Sequence, residues 1–142
     1  MASFNHQIAN LRLGEFDLGG VLYHANYYHL YEAAREALLS AEGSPYSSLV
    51  EQGFHLALIE AHQEFKLPIF YGEPISVALS FTDIANSSAK AVYDISVTRN
   101  GSTQRVHQGW TRLVFVAKGA SGFKPSRVPE NLLTIFKKYA EA

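Results

Sequence analysis

Residues 15–39 read EFDLGGVLYHANYYHLYEAAREALL, and this stretch decides how the rest of the chain must fold. Tyr27, Leu30, Tyr31, Ala34 and Leu38, with Ala41 just beyond, fall at spacings of three or four, one apolar stripe of a 3.6-period helix. Gly43 stops that helix, and Ser44-Pro45 breaks the chain after it. The helix entrance is unusual. Asp17 stands just ahead of Gly19-Gly20, where missing Cβ atoms let backbone or a ligand approach closely. Beyond them, the backbone N–H groups near Tyr23 and His24 lie at the first helical turn without intrahelical acceptors. Such donors suit a developing oxyanion, and a carboxylate within their reach acts as general base or nucleophile. Each residue alone also has an ordinary role: turn acid for Asp17, packing or capping for His24, N-cap for Asn26.

Upstream, Asn5 to Phe16 predicts a loosely alternating first strand. Downstream, a short helical turn spans Ser47 to Gln52, and then the period changes to two. FHLALIEAHQEF, from Phe54, is a long strand; Val77, Leu79 and Phe81 alternate in the next, and Ala91, Tyr93, Ile95 and Val97 in the one after. Asn100-Gly101 marks a type I′ hairpin turn, whose two central residues both need positive φ. The partner strand runs from Gln104 to Ala117, with a bulge or a close backbone approach at Gly109. A loop, KGASGFKPSRVP, then leads to a closing helix with Glu130 early and Lys137 and Lys138 late, as the helix dipole favours. Four strands in an antiparallel meander follow one helix, so the fold class is α+β, a long helix across a sheet of about five strands. One helix covers such a sheet only in part, so a second copy is the expected cover for an aromatic content of 13%.

The length of 142 residues fits one domain, 1–142, and 18% charged residues is an ordinary globular composition. Twelve Lys+Arg against thirteen Asp+Glu give a net charge of −1, with no basic surplus for nucleic acid. There is no cysteine, so thiolate and disulfide chemistry are excluded. The N-terminus lacks signal-peptide features and no apolar run reaches membrane-spanning length, so a cytoplasmic location is expected. The six histidines show no zinc spacing; Glu60-x-His62 shares a strand face but lacks a third ligand, so neither metal nor cofactor is expected. Glu32 with Arg35 or Glu36 reads as a solvated helix face.

The run DLGGVLYHANY from Asp17 to Tyr27, followed by YEAAR at Tyr31 to Arg35, closely resembles the 4-hydroxybenzoyl-CoA thioesterase family, nearest to its YbgC-like acyl-CoA thioesterases. FKLPIFYGEPI resembles the strand and turn that follow the helix in that family, and the likeness extends from about Phe4 to Leu132. The resemblance implies a hotdog fold, a long helix wrapped by an antiparallel sheet, in dimers or tetramers whose interface holds the site. It implies hydrolysis of an acyl-CoA or aryl-CoA thioester. Asp17 would attack the thioester carbonyl or activate water, and the backbone N–H of His24 would polarise that carbonyl. Gly20 would give the substrate room, and Tyr23 and Asn26 would shape the pocket floor. Where the family writes Asp-x-Asp, the first acid here is Glu15. The segment matching the basic coenzyme A strand reads NSSAK, which offers Ser87, Ser88 and Lys90. Rival readings are an aryl-CoA thioesterase such as one for 1,4-dihydroxy-2-naphthoyl-CoA, an acyl-carrier-protein thioesterase, a dehydratase centred on His24, and a non-enzymatic acyl-binding scaffold.

Overall fold

The computed structural model describes residues 3–141. Its central helix, α1, spans Tyr27–Ala41, and a short α2, Tyr46–Glu51, follows. Tyr27, Leu30, Tyr31, Ala34 and Leu38 are buried, as their spacing requires; Leu39 is buried beside them, whereas Ala41 faces solvent. Gly43, at φ +78°, ends the helix in the left-handed conformation, and the Ser44 N–H reaches back to the Leu39 carbonyl at 2.8 Å.

The strands are β1 (Phe4–Ile8), β2 (Phe54–Phe65), β3 (Ile75–Thr82), β4 (Ser88–Arg99), β5 (Ser102–Gly119) and β6 (Gly122–Pro125), and α3 (Glu130–Lys138) closes the chain. They form one antiparallel sheet in the order β1-β3-β4-β5-β2, with β6 paired to the far end of β5. Strands β3 and β4 alternate strictly between buried and half-buried positions from Ile75 to Val97, and the buried rows face α1 and α3 to make the core. Asn100 and Gly101, at φ 52° and 77°, form the β4–β5 turn with both central residues at positive φ.

Three elements differ from the sequence expectation. The first strand stops at Ile8, and Leu13–Glu15 is a 3₁₀ turn rather than the end of a strand reaching Phe16. The segment Gly122–Pro125, expected as loop, pairs with Val116–Gly119. Only β3, β4 and β5 form a meander, because β2 lies beyond β5 at the sheet edge. The connection 66–74 must therefore cross the end of the sheet to reach β3. The N–H groups of Lys66 and Leu67 both donate to the Val106 carbonyl, at 2.9 and 3.0 Å. Val106 is the extra residue of a β-bulge between the Ile95–His107 and Ser96–Arg105 pairs, so the bulge sits there rather than at Gly109. Gly109 is the other alternative, a close approach: a Cβ there would lie 1.7 Å from the Tyr31 hydroxyl and 2.7 Å from the His62 carbonyl. Among the described residues, no helix is long and apolar enough to cross a membrane.

Candidate active site

The connection 66–74 is the shelf on which the motif rests. The Leu22 N–H donates to the Ile69 carbonyl at 2.9 Å, and Val21 bridges to Phe70. Glu73 anchors the shelf, since its carboxylate accepts from the Phe70 N–H and from Arg99, whose guanidinium also holds the Pro68 carbonyl. That Arg99 partnership keeps the Glu73 carboxyl below the usual carboxylate range against its partial burial.

On this shelf Asp17 heads a tight turn. Its N–H donates to the Val21 carbonyl at 2.9 Å, and the Gly20 N–H donates to its carbonyl at 3.0 Å. Gly20 sits at φ +82°, a conformation that makes glycine the natural occupant, and a Cβ there would meet open space. One side-chain oxygen of Asp17, Oδ1, accepts the Gly19 N–H at 2.8 Å and, more weakly, the Val21 N–H at 3.4 Å. Asp17 therefore does fill the turn role that its type predicts. It is also exposed, and among the described residues its Oδ2 accepts no hydrogen bond.

Tyr23 is extended, and His24–Asn26 forms a 3₁₀ turn that runs into α1. The Tyr23 N–H is not free as expected: it donates to the Glu15 carbonyl at 3.1 Å. The His24 N–H opens the helical turn and, among the described residues, meets no acceptor. The His24 ring is exposed and tilted against the Tyr23 ring, with centroids 4.3 Å apart. The Asn26 side chain caps nothing. Its amide donates to the Glu15 carbonyl at 2.8 Å and ties the helix start to the preceding 3₁₀ turn. Beside the turn, Val21, Leu22, Tyr27, Phe65, Lys66 and Pro68 line an open, mostly apolar groove of about 280 Å³.

Two groups carry little signal in the sequence. Glu15 is buried, its carboxylate held by His29 Nδ1 and by Arg12, each at 2.9 Å. The His29 bond pulls its carboxyl below the ordinary range, burial opposes this, and Arg12 adds to the pull. His107 is fully buried beneath the groove, stacked on Tyr27 and bonded through Nε2 to the Tyr31 hydroxyl at 2.5 Å; its Nδ1 finds no partner among the described residues. Burial pushes His107 down to about 4 and raises the Tyr31 phenol, so both are neutral at pH 7.

The structure thus gathers Asp17, Gly20, Tyr23, His24 and Asn26 at the end of the sheet where β2 stops. Ser88 and Lys90 lie seven and five residues along β4 from Ile95, which is level with the end of β2, roughly 23 and 17 Å by the rise of the strand, and Ser87 lies just before them. The Ser87 carbonyl accepts the Phe115 N–H, and the Lys90 ammonium sits 4.1 Å over the Trp110 ring. Glu60 is engaged by Arg112 at 2.7 Å, and His62 leans on Trp110. The Arg35 guanidinium points inward to the Tyr93 hydroxyl at 2.8 Å rather than pairing on a solvated face.

Comparison with known proteins matches residues 11–136 to the family model described as the thioesterase-like superfamily. A thioesterase of dynemicin, whose structures describe polyene binding, superposes with a TM-score of 0.91 at 20% identity, covering 99% of both chains. The DHNA-CoA thioesterase of Staphylococcus aureus superposes at 0.86 with 25% identity, over 97% of this chain and 91% of that one. The fold is accordingly the hotdog fold. A protein of Aquifex aeolicus (strain VF5), provisionally named an esterase, is 34% identical over 71 residues, 50% of this chain and 56% of that protein. The chain spans about half the length of the curated relatives it matches.

Proposed function

The chain belongs to the thioesterase-like superfamily, and on that premise we propose that it hydrolyses a coenzyme A thioester to a free carboxylic acid and CoA. The observation that carries this reading is the pairing, on one short loop, of an exposed Asp17 and the His24 N–H, with neither Oδ2 nor that N–H hydrogen-bonded among the described residues. As general base, Asp17 takes a proton from water while the oxygen adds to the thioester carbon. The carbonyl oxygen becomes an oxyanion that accepts from the His24 N–H, a contact stronger in the transition state than in the substrate. Collapse breaks the C–S bond, and the proton held by Asp17 leaves with the thiolate. The alternative route, attack by the carboxylate itself, passes through an acyl–Asp17 anhydride that water then cleaves. Tyr23 and Asn26 act by holding the loop: Tyr23 through its N–H on Glu15 and Asn26 through its amide.

A groove walled by Tyr27 and Phe65, edge to face at 5.0 Å, favours an aryl or short acyl group over a long chain. The proposed assembly is a homodimer or tetramer formed across the free edge of β2, which brings a second copy to this end of the sheet. Lys90, Ser87 and Ser88 then serve a coenzyme A bound across copies, with Lys124 and Arg127 close by, since Ser126 and Val128 bond to Phe115 and Asn86. A carrier protein is the alternative bearer of the acyl group. The proposed setting is cytoplasmic, and the chemistry calls for no metal or cofactor. The test is a hydrolysis screen over acyl- and aryl-CoA thioesters with released thiol as the readout. At least one should turn over with kcat/KM above about 10³ M⁻¹s⁻¹. Thiol release at the uncatalysed rate across the whole panel would overturn the reading.

A further inference from the structure

Of the two acids in the motif, the one away from solvent has no part in the reaction proposed above. Glu15 is 8% exposed, yet four contacts converge on it. Its side chain joins two elements: Oε1 accepts from His29 Nδ1 on α1, and Oε2 accepts from Arg12 on the segment that follows β1. Its main-chain carbonyl accepts from the Tyr23 N–H and from the Asn26 amide. Tyr23 and Asn26 flank His24, and Glu15 itself lies two residues before Asp17. One residue therefore fixes the separation between the carboxylate and the proposed oxyanion donor. A fully engaged, buried carboxylate is rigid, because losing either partner leaves a charge out of water. His29 is what makes the arrangement directional. Its ring stands in the first turn of α1, and its side chain is 63% exposed, beside a groove of about 390 Å³ lined by His6, Arg12, Glu15 and Leu30.

We propose that Glu15 is a positioning residue, clamped by His29 and Arg12, that sets the distance between Asp17 and the His24 N–H. The inference rests on the thioesterase reading. A change in the clamp alters where the groups stand relative to each other, and leaves the groove that holds the acyl group untouched. Turnover should fall while substrate affinity holds, since a misplacement of about 1 Å costs up to about 100-fold in rate. A purely structural staple would instead lower the melting temperature and leave the kinetics of the folded molecules unchanged.

The experiment measures kcat, KM and melting temperature for wild type, His29→Leu and His29→Asn on the thioester that wild type hydrolyses best, well below the melting temperatures. His29→Leu removes the donor to Glu15. In His29→Asn the amide nitrogen stands near the place of Nδ1 and keeps that donor. The expected result is a kcat loss of about 10-fold or more in His29→Leu with KM within about 2-fold, and recovery to within about 3-fold of wild type in His29→Asn. If His29→Leu does not fold, Glu15→Gln, of the same length and uncharged, replaces it with the same expectation. A kcat within about 2-fold of wild type in the donor-less variant would overturn the proposal, and so would a loss carried by KM alone. Asp17→Asn is run beside them. If it keeps full turnover, the reading of the site fails; if it is inactive while His29→Leu is normal, only the positioning role fails.

Discussion

At the scale of single residues, chemistry and packing meet at Gly109 and His107. Tyr31 lies flat on Tyr93, with ring centroids 3.9 Å apart, and its hydroxyl occupies the space a Cβ on residue 109 would need. Neither that stacked ring nor the His62 carbonyl can retreat cheaply, so Gly109→Ala should cost about 2–3 kcal/mol or more in denaturant unfolding, and adding Tyr31→Phe should recover part of the loss. His107 predicts a pH dependence. Its folded pKa of about 4 lies below the ordinary 6.5, so the unfolded chain binds a proton between these values that the folded chain refuses. The stability it contributes is complete above about pH 6.5 and falls as pH drops towards 4. Between pH 7.5 and 5 the loss should be about 2 kcal/mol, and His107→Gln, which keeps an acceptor for Tyr31, should flatten it. The sequence exposes Asp17 and Gly20 through their turn chemistry. It marks Glu15 only as the first acid of the motif, because nothing in the local pattern says that His29, fourteen residues on, reaches back to cover it.

Among the elements, β2 has the most exposed work left to do. As an edge strand of twelve residues it presents unpaired backbone groups, with Leu58 and Ile59 49% and 57% exposed. Light scattering should show a dimer or larger at micromolar concentration, and a Leu58→Lys, Ile59→Lys double variant should dissociate it, because a two-fold contact sets each added charge near its copy. A wild-type monomer would contradict this. The helix and strands β3 and β4 were legible because their periods differ and their buried rows are unbroken. The position of β2 was not, since a run of strand-forming residues identifies a strand without naming its neighbours. β6 escaped because its four residues are all exposed and so leave no alternation to read.

Across the whole molecule the net charge is only −1, and the cation that the family resemblance singles out, Lys90, is occupied by Trp110, toward the end of β4 away from the motif. Nucleotide recognition should therefore be loose. Replacing a CoA thioester by its pantetheine analogue should cost less than about 100-fold in kcat/KM, and Lys90→Ala should be mild, since a full charge-assisted contact is worth about 1.5–3 kcal/mol. A larger loss on removing the nucleotide would point to a phosphate site with stronger cations. That the two ends stand apart in one protomer was not legible, because adjacency in a motif says nothing about which copy completes a site.

The proposed hydrolytic role belongs to the Asp17 carboxylate. It is tested most directly by kcat of Asp17→Asn on the best-hydrolysed CoA thioester, with folding checked by melting temperature and binding by titration. An amide is neither base nor competent nucleophile, so kcat should fall by at least about 100-fold while the fold and substrate binding persist. Turnover within about 10-fold of wild type in a folded, binding-competent Asp17→Asn protein would contradict it.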